Sequence, residues 1–215
     1  SVHPASVDAL FKEAQKHHMR LIAGKVMMDR NAPSEVLDTA STSYLQSKQL
    51  IERWHGVDRL QYAVTPRFAP TSTAEQLAAA GRLLAEHKGV YLHTHLAENI
   101  DEIKWVKTLF PEAKDYLDVY DQAGLLGKRS VFAHGIHLCD RECERLATSD
   151  SAIAHCPTSN LFIGSGLFPM ARLQNHGIKI GMGTDVGGGT SFNMLQPLAD
   201  SYKMKQLQGL SLIHI

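Results

Sequence analysis

The run Gly89-Val90-Tyr91-Leu92-His93-Thr94-His95-Leu96-Ala97-Glu98-Asn99-Ile100 decides how this chain is read. Its first seven residues, Gly89 to His95, form an apolar, β-rich stretch, and the spacing from Ile100 to Leu109 is that of a helix. Asn99 or Asp101 stands where the cap of that helix belongs. A strand that passes through a polar turn into a helix is one βα unit, and the same alternation runs along the whole chain. Strand candidates are Arg20 to Met27, Leu60 to Thr65, Gly89 to His95, Arg129 to His134, Ser151 to His155 and Lys179 to Gly183. Helix candidates are Ala5 to His18, Ser34 to His55, Thr73 to His87, Ile100 to Leu109, Asp140 to Ala147, Pro169 to Asn175 and Phe192 to Gln208. Repeated βα units predict a parallel sheet. Six of them in 215 residues match the spacing of a (β/α)8 barrel of about 250 residues. The expected fold class is therefore α/β, a partial (β/α)8 TIM-type barrel with about six of its eight βα units; an open doubly wound sheet is the alternative.

Composition narrows the function. Hydrophobic residues make up 44% and charged residues 20% of the chain, as in a globular domain. Lys and Arg balance Asp and Glu at 22 each, so no bulk field recruits nucleic acid or an anionic membrane surface. No apolar run reaches the roughly 18 residues that span a bilayer, and there is no signal-peptide pattern. The three cysteines, Cys139, Cys143 and Cys156, form no C-x-x-C pair and predict buried thiols in a reducing compartment. The expected location is the cytoplasm. No repeat, low-complexity tract or linker divides the chain, so residues 1–209 are expected to be one domain.

Polar, metal-competent residues fall at the C-terminal ends of successive strand candidates, where barrel enzymes build their sites. In order they are Arg67, His95 with Glu98, His134, His155 and Asp185. Taken singly, each reads equally well as a cap or surface residue; their joint placement points to a site. An imidazole at a strand end with a carboxylate three residues on can supply one metal ligand and one proton shuttle, the two roles that metal-assisted hydrolysis needs. His93 lies on the same side of the strand as His95 and competes for the ligand role; His95 is the preferred ligand, with His93 one layer deeper in the barrel. Asp185, just past an apolar strand, can be ligand and proton acceptor or simply a turn aspartate. His134 can hydrogen-bond a water or be a satisfied core histidine. His155 can shape a pocket wall, and no role is assigned to it. A zinc site at His137, Cys139 and Cys143 is disfavoured because Asp140 to Ala147 reads as a helix outside the barrel.

The motifs His95-Leu96-Ala97-Glu98, Ala133-His134-Gly135, His155-Cys156-Pro157 with Ser159-Asn160, and Gly183-Thr184-Asp185, in this order, resemble the amidohydrolase superfamily. Met28-Asp29-Arg30-Asn31-Ala32-Pro33, Glu52-Arg53-Trp54-His55 and Leu60-Gln61-Tyr62-Ala63-Val64-Thr65-Pro66-Arg67-Phe68-Ala69-Pro70 are similar, within it, to the guanine deaminases. The resemblance covers essentially Ser1 to Gly209. It implies a single Zn2+, with iron as a possible substitute, held by His95 and Asp185. It further implies Glu98 as general acid/base, His134 orienting the attacking water or the purine, and a purine substrate held by Arg67 and Phe68. The guanidinium would bond the purine carbonyl and the ring would pack on its face. A homodimer is implied for the parent enzyme. Another amino- or chloro-substituted heterocycle, such as an oxidised purine, an adenosine derivative or a triazine, is the alternative substrate class.

One departure stands out. The family completes its metal site with a His-x-His pair on the first barrel strand, which nothing before Ser1 supplies, and the His3-Pro4 region resembles a segment after strand two. The chain is thus expected to be an internal fragment, inactive alone, with a non-catalytic fragment or binding module as the reading from another class. Residues 210–215, Leu-Ser-Leu-Ile-His-Ile, resemble a translated sequencing adapter and are expected to be a non-native tail.

Overall fold

A computed structural model describes residues Ser1 to Gly209; the expected tail, residues 210–215, lies outside the described residues. The strands are β1 (Leu21–Ala23), β2 (Val26–Met27), β3 (Leu60–Pro66), β4 (Tyr91–Leu96), β5 (Ser130–His134), β6 (Ala152–His155) and β7 (Lys179–Met182). The helices are α1 (Pro4–Lys16), α2 (Ala40–Trp54), α3 (Ala74–Glu86), α4 (Ile100–Leu109), α5 (Tyr116–Gln122), α6 (Asp140–Thr148), α7 (Pro157–Phe162), α8 (Met170–Asn175) and α9 (Leu195–Leu207). All strands pair in parallel in the order β1-β3-β4-β5-β6-β7, with β2 also on β3. The order never reverses, so the sheet lacks the switch point of a doubly wound fold and curls as part of a barrel.

The alternation of side chains along β4 shows how the layers form. Leu92, Thr94 and Leu96 are buried towards the helices, while Tyr91, His93 and His95 face the concave side. The core fills the space between the convex face and the helices, with Leu92, Phe132 and Ile153 of the sheet meeting Leu77 and Leu83 of α3, Val106 of α4 and Leu146 of α6. Leu77, Ala80 and Leu83 recur at helical spacing on α3, whose start is capped by Thr73 Oγ1 accepting from the amide of Gln76 at 3.2 Å.

Four expectations need correction. The single strand from Arg20 to Met27 is two, β1 and β2, because the chain bends at Gly24-Lys25. A Cβ on Gly24 would lie 1.7 Å from the carbonyl oxygen of Ala63, so only glycine permits this approach to β3. The Lys25 side chain turns fully into the interior against Asp38. The helix from Ser34 to His55 begins in earnest only at Ala40, since Thr39 caps it by accepting from Thr42 N at 3.1 Å and Leu37 is extended. Helices α5 and α7 form in stretches outside the helix candidates: Asp115 caps α5 through Asp118 N at 2.9 Å, and Pro157 opens α7 at its first position. Finally, Cys143 and Cys156 are buried but Cys139 is exposed.

Candidate metal centre

The register of β4 on β5 sets Leu96 against His134, so the imidazole of His95 comes up beside that of His134, with ring centroids 5.3 Å apart and planes 22° from parallel. Asp185 follows β7 by three residues, two strands further round, and the curl of the sheet returns it to the same point. One ligating atom each from His95, His134 and Asp185 lie within 4.8 Å of one another.

The backbone is bent to achieve this. His134 has φ of 72°, Asp185 46° and Ala97 48°, all in the left-handed region that side-chain-bearing residues rarely adopt, and Gly135 follows His134 at 62°. Each such non-glycine residue costs on the order of 1–3 kcal/mol, and such strain clusters at functional sites.

Hydrogen bonds set which ring nitrogen is free. His95 Nδ1 donates to the carbonyl of Arg67 at 2.7 Å, leaving its Nε2 lone pair unused. His134 Nδ1 faces two oxygens, Asn160 Oδ1 at 2.9 Å and Glu98 Oε1 at 3.4 Å, and so carries the proton that it donates to Asn160. Its Nε2 is buried without a protein partner, 3.9 Å from Asp185 Oδ2. Burial lowers the pKa of His95 and keeps the imidazole neutral, the form in which it ligates a cation.

Glu98 stands at the edge of this group. Burial raises its carboxyl above the ordinary range, opposed by a hydrogen bond from Ser165 Oγ at 3.0 Å. Ser165 is itself held in the loop after α7, its amide donating to Asn160 O at 2.9 Å and its carbonyl accepting from His137 Nε2 at 2.8 Å.

Of the other residues singled out in the sequence, Arg67 and Phe68 form the rim next to His95. The Arg67 guanidinium is exposed and lies 4.9 Å over the Phe68 ring, and that ring meets His95 edge-on at 6.0 Å. His93 is outside the three-residue group and faces a concave cavity of about 420 Å³ with Ala63, Thr65 and Val131. His155 is buried, stacked 4.1 Å from the Phe168 ring, and held by burial at a pKa of about 4. His137, Cys139 and Cys143 form no metal-competent group among the described residues. Asn160, Ser165 and Tyr120 were not anticipated as site residues. Asn160 lay inside a quoted motif, whereas Ser165 and Tyr120 carried no signal of their own.

The group fits a cation. Two ligands about 2 Å from one ion stand at most about 4 Å apart, so the 4.8 Å spread needs only a small contraction. The free Nε2 of His95 and the carboxylate of Asp185 make a mixed nitrogen and oxygen donor set that suits zinc or iron, with the unpartnered Nε2 of His134 beside them. No helix among the described residues is long and apolar enough to cross a membrane.

Comparison with known proteins gives the family. The guanine deaminase of Escherichia coli (strain K12) is 60% identical over 212 residues, which cover 99% of this chain and 48% of that protein. Its solved structure superposes with a TM-score of 0.97 over 99% of this chain and 49% of that chain. The structure of guanine deaminase from C. acetobutylicum with bound guanine in the active site, 31% identical, superposes with a TM-score of 0.92 over 97% of this chain and 51% of that chain. The chain thus spans about half the length of the relatives that it matches. The profile of the amidohydrolase family matches residues 1–214, and the chain belongs to that family.

Proposed function

We propose that the protein carrying this chain is a guanine deaminase, hydrolysing guanine to xanthine and ammonia with one Zn2+. The observation that carries the reading is the convergence of His95, His134 and Asp185 within 4.8 Å beside Glu98. Its support on the substrate side is the 60% identity to a relative named guanine deaminase and the bound guanine of a structural neighbour.

In this reading His95 and Asp185 hold the metal, His95 through Nε2 because Nδ1 is committed to Arg67 O. When bound there, zinc supplies Lewis acidity that brings the pKa of a water towards neutrality. His134 orients that water through its free Nε2, with Asn160 fixing the ring. Arg67 bonds the purine carbonyl and Phe68 packs on the base. As the water adds to C2, Asp185 accepts its proton. Glu98 gives its proton to the ring nitrogen, takes up the proton of the hydroxyl now on C2 and passes it to the departing amine; ammonia leaves as the C2 carbonyl of xanthine forms, and the proton held by Asp185 restores Glu98. The raised pKa of Glu98 suits a group that must give a proton near neutral pH. A homodimer is carried over from the resemblance to guanine deaminases, and a cytoplasmic location from the cysteine usage.

The test is ammonia release from guanine by the complete protein, with E98A beside it. E98A is expected to lower turnover by about 10² or more with zinc content intact. Near-normal turnover in E98A rules out its role, and a wild-type protein inert towards guanine but active on an oxidised purine or triazine changes the substrate.

A further inference from the structure

We infer that Tyr120 is a positioning residue: its hydroxyl clamps the purine-holding loop Arg67-Phe68-Ala69 to the end of strand β4, so that base binding and the set of the His95 imidazole form one rigid unit. This rests on the proposed guanine deaminase reading.

Tyr120 reaches the site from α5, on the helical side of the sheet, and is fully buried. Its Oη accepts from the amide of Ala69 at 2.9 Å and donates to the carbonyl of His95, also at 2.9 Å. One oxygen therefore joins the residue after Phe68 to the backbone of His95. A second tie lies alongside. The carbonyl of Arg67 accepts from His95 Nδ1 at 2.7 Å, from His95 N at 3.3 Å and from Thr94 Oγ1 at 3.1 Å. With Thr94 donating to Arg67, the single Tyr120 proton is left for His95 O, and both hydroxyls are used without conflict.

The surrounding packing allows Tyr120 little freedom. Its ring lies 5.7 Å from that of Phe132 and 5.6 Å from that of Tyr116. Tyr116 Oη donates to Glu102 Oε1 at 2.7 Å, and Glu102 Oε2 accepts from the amides of Glu98 at 2.9 Å and Asn99 at 3.1 Å. The two tyrosines thus bear on the segments that carry Arg67, Phe68, His95 and Glu98, without touching any reacting atom. Burial raises the Tyr120 pKa, so the hydroxyl stays protonated and remains a donor.

Removing the hydroxyl strands the Ala69 amide and the His95 carbonyl in a dry interior, a loss comparable to a factor of about ten per hydrogen bond. In the complete protein, Y120F is expected to raise KM for guanine about tenfold, to lower kcat less, and to leave zinc content unchanged. Hydrogen exchange at the Ala69 amide is expected to speed up about tenfold or more relative to amides of α3. T94V, which removes the hydroxyl that bonds Arg67 O at 3.1 Å and lies 3.4 Å from Tyr120 Oη, should shift KM the same way by a smaller factor and serves if Y120F folds poorly. A KM within twofold of wild type in the folded variants, or an Ala69 amide still protected in Y120F, overturns the inference. Wild-type protein that releases no ammonia from guanine overturns the substrate reading instead, and the exchange measurement still tests the clamp.

Discussion

The concave rim of strand ends and the outer shell around α5 and α6 follow opposite rules. At the rim, Ala97, His134 and Asp185 hold left-handed backbone angles and His134 Nε2 has no partner, while burial shifts Glu98 and His95 from their ordinary pKa values. Around α5 and α6 on the outer shell, charges are paired and the first turns of both helices are satisfied. Arg145 grips Asp121 through two bonds of 2.6 and 2.7 Å, Arg141 pairs with Asp115, and Glu142 accepts from Cys139 N and Leu117 N at 2.8 and 3.0 Å. Strain and unmet bonding capacity persist only where surrounding structure imposes them, which is the mark of a site that binds something. Around α5 and α6 the polar groups are spent on folding.

The largest effect that separates the two regions is the E98A loss of turnover, with no matching fall in stability. Next comes N160A. Asn160 touches no reacting atom in the proposed mechanism but anchors Nδ1 of His134, and losing such a partner is expected to lower activity by about 10- to 100-fold. Steady-state kinetics on folded N160A checks this, and an activity within twofold of wild type would remove His134 orientation from the mechanism.

Glu98 also predicts a pH dependence of stability. Its folded pKa is raised by burial, so its contribution is fully present below the unfolded carboxyl pKa of about 4.3 and is lost as pH rises through the folded value. Metal-free E98Q should therefore be more stable than wild type at neutral pH, and the gap should close in acid. Denaturant melts at several pH values measure it; a gap independent of pH contradicts the assigned shift. The smallest effect belongs to the outer shell. R145A breaks a half-exposed pair and should cost at most about 1 kcal/mol in stability, with kcat unchanged. A change in kcat there would blur the contrast between rim and shell.

The parts of the molecule legible in the sequence share one property: they depend on local pattern. The apolar runs ending at His95, His134 and His155 and the helix after Asn99 are such cases, and so is the succession of polar strand ends. What escaped depends on distant partners. The break between β1 and β2 comes from the approach of Gly24 to Ala63, thirty-nine positions away in sequence. Helix α5 is only 7 residues long and draws its order from an aspartate cap and a buried tyrosine pair. Asn160 meets His134 across 26 positions and Ser165 meets Glu98 across 67, so neither role has a period or a spacing to betray it.

The central claim is that residues 95 and 185 meet at one cation. An anomalous difference map at the zinc edge, from crystals of the zinc-loaded complete protein, tests it most directly. The account predicts a single strong peak about 2.0–2.2 Å from an imidazole nitrogen of His95 and a carboxylate oxygen of Asp185. A peak elsewhere, beside Cys139 and His137 for instance, with none between His95 and Asp185, would contradict it.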